Sequence, residues 1–587
     1  MRTVVLDDKI FTIKGEIQER QQNPWKASID ISGATGYSSF SKASVERWQG
    51  LRGGIGRKYQ KGTGTEELWF SEGLDTSLDG GIILGPKVNT AGTFGVAAVK
   101  IIDFDGATYA IGNSVCKKWN AGTSAWDTAD AAALASPLDA IIVTDETATY
   151  FVVSNATSAR YSTDGTTWNA LTGCMGYLAV LDNRLIGFYG QTVNYSPRGD
   201  IDGTWTTFKV SMYLGTVHGL YSGKLLTTDE PALFLHCSEG WFDIDFWHRC
   251  IYPLDNYSGY TYSGKAGIYW NSYHWVATGE GIKKYSSGMS QDVGVDQNDG
   301  LPSGYQGTVY DMLGTANETW LVYCINGGSS QKSSIFKRHG TVGGNQQIYT
   351  TAATNTPITC LCHSPSSMYT NGRLWWGEGT GIKYCMFPDF NADPTEISGY
   401  EFIATAGKCI LSIFRPLAAF NKLALKVKAV TKGCDSNKKF TIYYEINESG
   451  TWVSLGDFIL SPTPTALSFA SGAGLEFRTI KFGIEAATNS STVTPELKSL
   501  DFAYLPNTDP VWGWTFLVSA KGHDAEEYFT NLQTINDKKT LVQFYPSGDK
   551  AKTAYWVKLV NLPKAIHWDA NREEGDLQVN LEEIFPD

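Results

Sequence analysis

No stretch of this 587-residue sequence approaches the ~18 consecutive apolar residues that a membrane helix requires. A helical membrane span is therefore excluded. The first residues interrupt their apolar stretch with Asp7 and Asp8 and offer no small-residue cleavage site, so synthesis in the cytoplasm is expected rather than secretion. Cysteine is sparse, ten residues strewn over the whole chain, which is too thin for a disulfide framework; buried, reduced thiols are expected. Charged residues make up only 18%, and acids prevail to give a formal net charge of -12. Such a chain is a poor binder of polyphosphate, and no sequence-specific contact with nucleic acid is expected. There is also no Gly-rich phosphate loop, no nucleophile elbow and no HExxH helix.

What the sequence has in abundance is glycine and aromatic residues: Gly 61, Trp 19, Tyr 30 and Phe 27. Many short aromatic strands joined by tight turns produce this composition. The length calls for roughly three or four domains.

A repeat runs through residues 94–400. Two copies align without a gap, one hundred residues apart. Trp275, Gly281 and Ile282 in one fall on Trp375, Gly381 and Ile382 in the other. Each reads as an apolar strand, a Gly-rich turn and a strand opening Gly-Ile-Lys. Weaker copies surround them, and their final-strand aromatics are Trp119, Tyr161, Tyr195, Phe242, Tyr285, Phe336 and Tyr384, spaced 34 to 51 residues apart. A four-stranded propeller blade takes about 40–50 residues, so about seven blades are expected. Residues 64–90 offer a further strand that could close the ring.

Within the repeat, Tyr161-Ser162-Thr163-Asp164-Gly165-Thr166-Thr167-Trp168 resembles the Asp-box hairpin of sialidase-type propellers, with a turn one residue shorter. The resemblance implies a structural role: Ser162 and Asp164 fold the turn, Gly165 occupies it and Trp168 packs. A sialidase would also need an arginine cluster. Arg160, Arg184, Arg198, Arg249, Arg338 and Arg373 occupy no equivalent positions along the repeat.

Residues 401–508 alternate with period two over 423–429, 440–446, 452–456, 477–484 and 497–504, the pattern of half-buried strands in an antiparallel β-sandwich. Residues 509–587 read as a small α+β docking domain. A strand over 512–518 leads into a helix over 524–535, with Phe529, Leu532 and Ile535 on one face, and strands follow at 540–545, 554–561 and 576–584. Residues 1–93 remain as an N-terminal arm. Within it Lys42, Arg47, Arg52, Arg57, Lys58 and Lys61 face one acid, Glu46, and read either as a basic contact arm for an acidic partner or as a solvated loop.

The fold class is thus mainly β: a β-propeller, then an antiparallel β-sandwich, then a small C-terminal α+β domain. This combination resembles tail and baseplate structural proteins of tailed bacteriophages. The resemblance implies a virion structural protein of the tail tip, baseplate or nozzle, partnered by other tail proteins in a homo-oligomeric ring or symmetric assembly. Attachment to a host-surface glycan is an added expectation.

Other groupings of reactive residues read as structure. Asp243, Asp245, His248 and Cys250 could ligate a metal, but Phe246 and Trp247 mark a packed sheet edge. Cys360, Cys362 and His363 fall short of the four ligands of a zinc site. Asp296, Asn298, Asp299 and Gly300 lack the downstream Glu of a calcium loop. Arg198-Gly199-Asp200 reads as a chance tripeptide. Trp126, Trp168, Trp205 and Trp270 could stack on sugars, though most such rings fill cores. No catalytic residue, cofactor or metal is expected, which leaves a carbohydrate-binding protein as the alternative and a sialidase-like glycosidase behind it.

Overall fold

The computed structural model describes the chain except residues 1, 23–43, 57, 60–66, 79, 211–213, 257–264, 279–280, 287–288, 296–300, 303, 389–392, 417–420, 462–464, 507–510, 522–524, 539, 561–563, 570–573 and 584–587. Arg57, Lys42 and Lys61 of the basic segment and the loop Asp296–Gly300 lie outside the described residues. The described chain is mainly β.

Seven four-stranded antiparallel units follow one another along residues 98–130, 137–171, 177–209, 217–256, 267–292, 308–350 and 358–386; six are separate sheets, and the sixth in order, 308–350, is one end of a ten-stranded sheet. The first six are simple meanders. The seventh takes its outermost strand, Val88–Thr90, from the front of the chain, where Asn89 pairs with Tyr384. The first strands of neighbouring sheets lie side by side, and Ile358–Ser364 of the seventh sheet returns against Ala98–Phe104 of the first. All seven aromatic markers, Trp119 through Tyr384, sit on the third strand of their sheets.

The second strand of each sheet explains why the sheets gather. Ala107–Gly112, Thr149–Asn155, Arg184–Tyr189, Pro231–Cys237, Tyr273–Thr278, Trp320–Asn326 and Arg373–Glu378 bury successive residues on both faces. An apolar run of this kind cannot face water on either side, so a sheet lies against each face. The two strongest repeat copies are superposable in register. Ala277 pairs with Ile282 and Gly377 with Ile382, while Trp275 and Trp375 are both fully buried. Trp375 belongs to the contact between seventh and first sheets. Its ring meets Trp119 edge-on at 5.7 Å and Tyr384 at 4.7 Å, and Trp126 anchors the same cluster through Nε1 to the Ala91 carbonyl at 2.5 Å.

Two sheets of a sandwich follow. One contains Ser44–Trp48, Glu496–Pro506, Lys422–Lys432 and Thr465–Ser468, with Leu475–Phe477 beside Lys422–Lys432. The other runs Glu67–Glu72, Gly407–Leu411, Ile480–Ala487, Lys439–Ile446 and Val453–Phe458. Phe440, Ile442, Phe482, Ile484 and Phe502 fill the space between them. The strand expected over 477–484 is broken into two pieces.

The N-terminal 93 residues are not a separate arm. Ser44–Trp48 is a sandwich strand, and Trp48 plugs that core, meeting Phe482 edge-on at 5.7 Å. Arg47, expected on a contact arm, is held by Asp501 of the adjoining strand through Nε at 2.7 Å and a second nitrogen at 3.1 Å. The Lys58 ammonium lies over the Tyr59 and Trp69 rings. Arg52 gives its carbonyl to Gln346. Gly54–Ile55 bridges Gly343–Thr350 of the sixth sheet to Glu67–Glu72, which joins that sheet to the sandwich. Gly54 is obligatory there: its φ is +79°, and a Cβ would lie 2.4 Å from the Asn345 nitrogen.

The C-terminal unit differs from the expected order. It is a closed six-stranded barrel in which Arg2–Leu6 and Lys9–Gln22 pair with Val542–Tyr545 and Val511–Ala520, and Tyr555–Leu559 and Glu574–Glu583 complete the circuit. Lys564–Asp569, not anticipated, hangs on Glu574–Glu583. Phe516 and Phe544 stack inside at 5.6 Å. The helix Ala525–Asp537 packs on the barrel through Ala525, Leu532 and Ile535, whereas Phe529 is 41% exposed. The buried stripe is set by Ala525, Tyr528, Leu532 and Ile535, and residue 529 falls a step beyond it.

Substituting Trp375→Ala removes the central ring of the contact that closes the seventh sheet on the first. A loss of about 3–5 kcal/mol in unfolding free energy is expected, measured by denaturant titration.

Candidate functional site

Where the seven first strands converge, they enclose an open cavity of about 410 Å³. Every sheet contributes: Lys100, Asp139, Tyr177, His218, Lys265, Tyr310 and Thr359 are representative. Their placement follows from β-bulges. Strand register shifts between Pro137 and Asp139, Val217 and Gly219, Val309 and Asp311, and Ile358 and Leu361. A bulge adds one residue and re-aims side chains, here towards the axis.

The carboxylates at two of these bulges do the same work 172 residues apart in register-equivalent positions. Asp139 accepts from its own strand at Ala140 N, 2.8 Å, and from the next sheet at Leu178 N, 3.0 Å. Asp311 accepts from Met312 N at 2.9 Å and from Leu361 N, again in the next sheet, at 2.8 Å. Each is a staple between adjacent sheets. Lys100 stands 3.6 Å from Asp139. Asp139 lifts the Lys100 ammonium above its ordinary range despite burial, and Asp311 adds to the effect. Burial raises Asp311 above the usual carboxylate range, although Lys100 and the two amides pull the other way. Across the cavity Lys265 Nζ donates to the Tyr310 hydroxyl at 2.8 Å and lies over that ring.

Histidines line the far wall. Burial lowers His236 to about 3, with His218 adding to the effect, and burial with Lys265 lowers His218 to about 4. His274, just behind, is lowered to about 4 by burial, partly opposed by its bond to the Lys224 carbonyl. The His236 ring occupies space that only glycine leaves open, since a Cβ on Gly267 would sit 2.3 Å from Nε2.

The other residues expected from sequence are dispersed. In the Asp-box-like hairpin Ser162 Oγ accepts from Gly165 N at 2.8 Å, and Asp164 accepts from Thr166 N and Thr167 N at 2.8 and 2.6 Å. Trp168 meets Phe151 edge-on at 5.0 Å, and Gly165, at φ +71°, lies directly against the Tyr109 hydroxyl. The six arginines do not gather at one point: Arg184 and Arg249 share a groove at the rim of the third and fourth sheets and Arg198 joins Arg184 at Asp182, while the other three lie elsewhere. Arg160 forks onto Asp130, Arg338 donates to the Val293 carbonyl, Arg373 covers Tyr369, and none of the six lines the axial cavity.

Of the metal candidates, Asp245 caps a hairpin tip by accepting from Trp247 N, His248 N and His248 Nδ1. Asp243 is raised to about 6 by burial and by Asp245. Burial pushes Cys360 up to about 12, and its Sγ faces the Ala98 carbonyl. Among the described residues no group of three or more His, Cys, Asp or Glu could hold a metal ion. All ten cysteines are unpaired, with Cys250 exposed. Trp126 and Trp270 are core residues, and Trp205 is half-buried with Nε1 bonded to the Ile201 carbonyl. The axial residues escaped the sequence reading. Their only trace is an Asp between apolar residues near the start of a first strand, in Leu138-Asp139-Ala140 and Tyr310-Asp311-Met312.

No family model matches the chain, and no curated protein matches it. Among the many solved structures that overlap it are two of the extracellular domain of BT4673 of B. thetaiotaomicron, described as a putative hybrid two component system in one case and a putative one component system in the other. One has a TM-score of 0.39 at 10% identity, over 56% of this chain and 45% of that one. The second has a TM-score of 0.37 at 9% identity, over 71% and 62%. The chain thus spans less than two thirds of either, and the functional reading rests on its own residues.

Two outcomes follow from the cavity. Asp311→Ala strands two amides and is expected to cost about 2–4 kcal/mol in a denaturant titration. The buried histidines have folded pKa values below the unfolded value of about 6.5, so the unfolded chain binds protons first on acidification. Stability should hold above pH 6.5 and fall between pH 6.5 and 4, by roughly 1.4 kcal/mol per pH unit for each of His236 and His274. Unfolding titrations at pH 7 and pH 5 check this, and His236→Gln should flatten the difference.

Proposed function

We propose that this chain is a non-enzymatic structural component of a bacteriophage tail, at the tip, baseplate or nozzle. On this reading the seven sheets are the blades of a β-propeller. The cyclic order of the first strands and the cavity that all seven share support that assignment. The observation that carries the function is the use made of the axial charges. Asp139 and Asp311, the carboxylates that line the shared cavity, are engaged by backbone amides of two sheets at once. Groups held in this way brace a ring and are poorly placed to shuttle protons. The bridge through Gly54–Ile55 and the buried Lys337–Asp75 pair at 2.8 Å make ring and sandwich a stiff unit, suited to transmitting position within an assembly.

The partners on this reading are further copies of the chain and other tail proteins. The experiment is light scattering and electron microscopy of the purified full chain, alone and with co-expressed tail proteins. Closed rings or a stable complex are expected. A persistent monomer that joins no tail protein, or one that turns over a fluorogenic glycoside, overturns the proposal.

A further inference from the structure

At the rim of the third and fourth sheets, away from the axis, an open groove of about 390 Å³ joins the two. Its floor is aromatic: Phe246 meets Tyr195 edge-on at 4.9 Å and Phe208 at 5.9 Å. Its lip is Trp247, on the hairpin tip capped by Asp245, and this indole is 61% exposed. A tryptophan held out from a fixed turn, with Phe246 bracing it edge-on at 5.1 Å, offers a flat apolar face at little entropic cost.

Charge marks the same groove. The Arg249 guanidinium lies over the Phe208 ring, 5.5 Å from its centre, and meets no carboxylate within 4 Å among the described residues. Arg184, over Tyr195, is already committed to the Ser196 carbonyl and to Asp182. Thr204 and Thr206 add exposed hydroxyls to the wall. Aromatic face, hydroxyls and one uncommitted fork-shaped cation are together the complement of a sugar ring carrying an anionic group.

We infer that this groove is a saccharide-binding site, with Trp247 as the stacking platform and Arg249 as the recogniser of a carboxylate or sulfate on the sugar. The inference goes beyond the assembly role and stands without it. A monomer that binds sugar would remove the assembly reading and leave the site intact.

The test is binding of the full chain to an array of carboxylated, sulfated and neutral oligosaccharides, followed by titration of the strongest ligand. Preference for anionic sugars is expected, and the array tells carboxylate from sulfate. Trp247→Ala should weaken binding by roughly 30-fold or more. Arg249→Gln should reduce binding of the anionic sugar to the level of its neutral counterpart. Trp556→Ala, an exposed tryptophan on the barrel, should leave binding unchanged. Near-UV dichroism and melting temperature establish that the variants keep their fold. No array binding, equal binding of neutral sugars, or Trp247→Ala binding within twofold of the parent overturns the inference.

Discussion

Everything in the ring rests on seven strands that have no wet face. A strand such as Trp320–Asn326, buried along nearly all its length, leaves its own sheet unable to fold in isolation. Each sheet must cover its neighbours, and the last must find the first. The seventh sheet, completed by a strand from some 270 residues earlier, pays for that closure with a long loop and gains a packed aromatic cluster around Trp375. Loop-closure cost grows only with the logarithm of length, whereas a buried aromatic contributes several kcal/mol, so closure wins.

Polar groups then refine what apolar burial assembles. The bulges turn side chains to the axis, and the Asp139 and Asp311 staples fix the spacing of adjoining sheets there. A second buried pair does similar work between ring and sandwich. Burial alone would raise Asp75, but the Lys337 ammonium and the Ser77 donors outweigh it and hold the carboxyl below its usual range. A charge kept ionised in that setting makes the joint specific, since either partner left alone would be a buried, uncompensated ion.

The repetition was legible because it is written in apolar runs: each marker aromatic from Trp119 to Tyr384 lies on a third strand, and four of the five expected sandwich strands fall where period-two alternation puts them, the one over 477–484 being split and Ser44–Trp48, Glu67–Glu72, Gly407–Leu411 and Thr465–Ser468 going unanticipated. The barrel was not legible. Arg2–Leu6 and Lys9–Gln22 have ordinary strand patterns, but nothing local says that their partners lie beyond residue 510. Trp48 looked like part of a basic loop because its neighbours are charged, and only the facing sheet reveals it as a core residue. Among candidate site residues, the turn-forming Ser162 and Asp164 carry a local signature. The axial set and the Tyr195, Phe208, Trp247 and Arg249 groove are scattered across sheets, and no spacing rule links them.

The barrel has a consequence for the order of folding. Lys9–Gln22 leaves the ribosome hundreds of residues before Val511–Ala520, its partner. Until then this fourteen-residue strand, paired with Arg2–Leu6 only over Lys9–Ile13, presents an open hydrogen-bonding edge to other nascent chains nearby. Its hydrophilic stretch from Lys14 to Gln22, broken by Gly15 at φ +81°, is the protection such an edge needs while it waits. The ring and sandwich can mature during synthesis, and the barrel is the clasp fastened last.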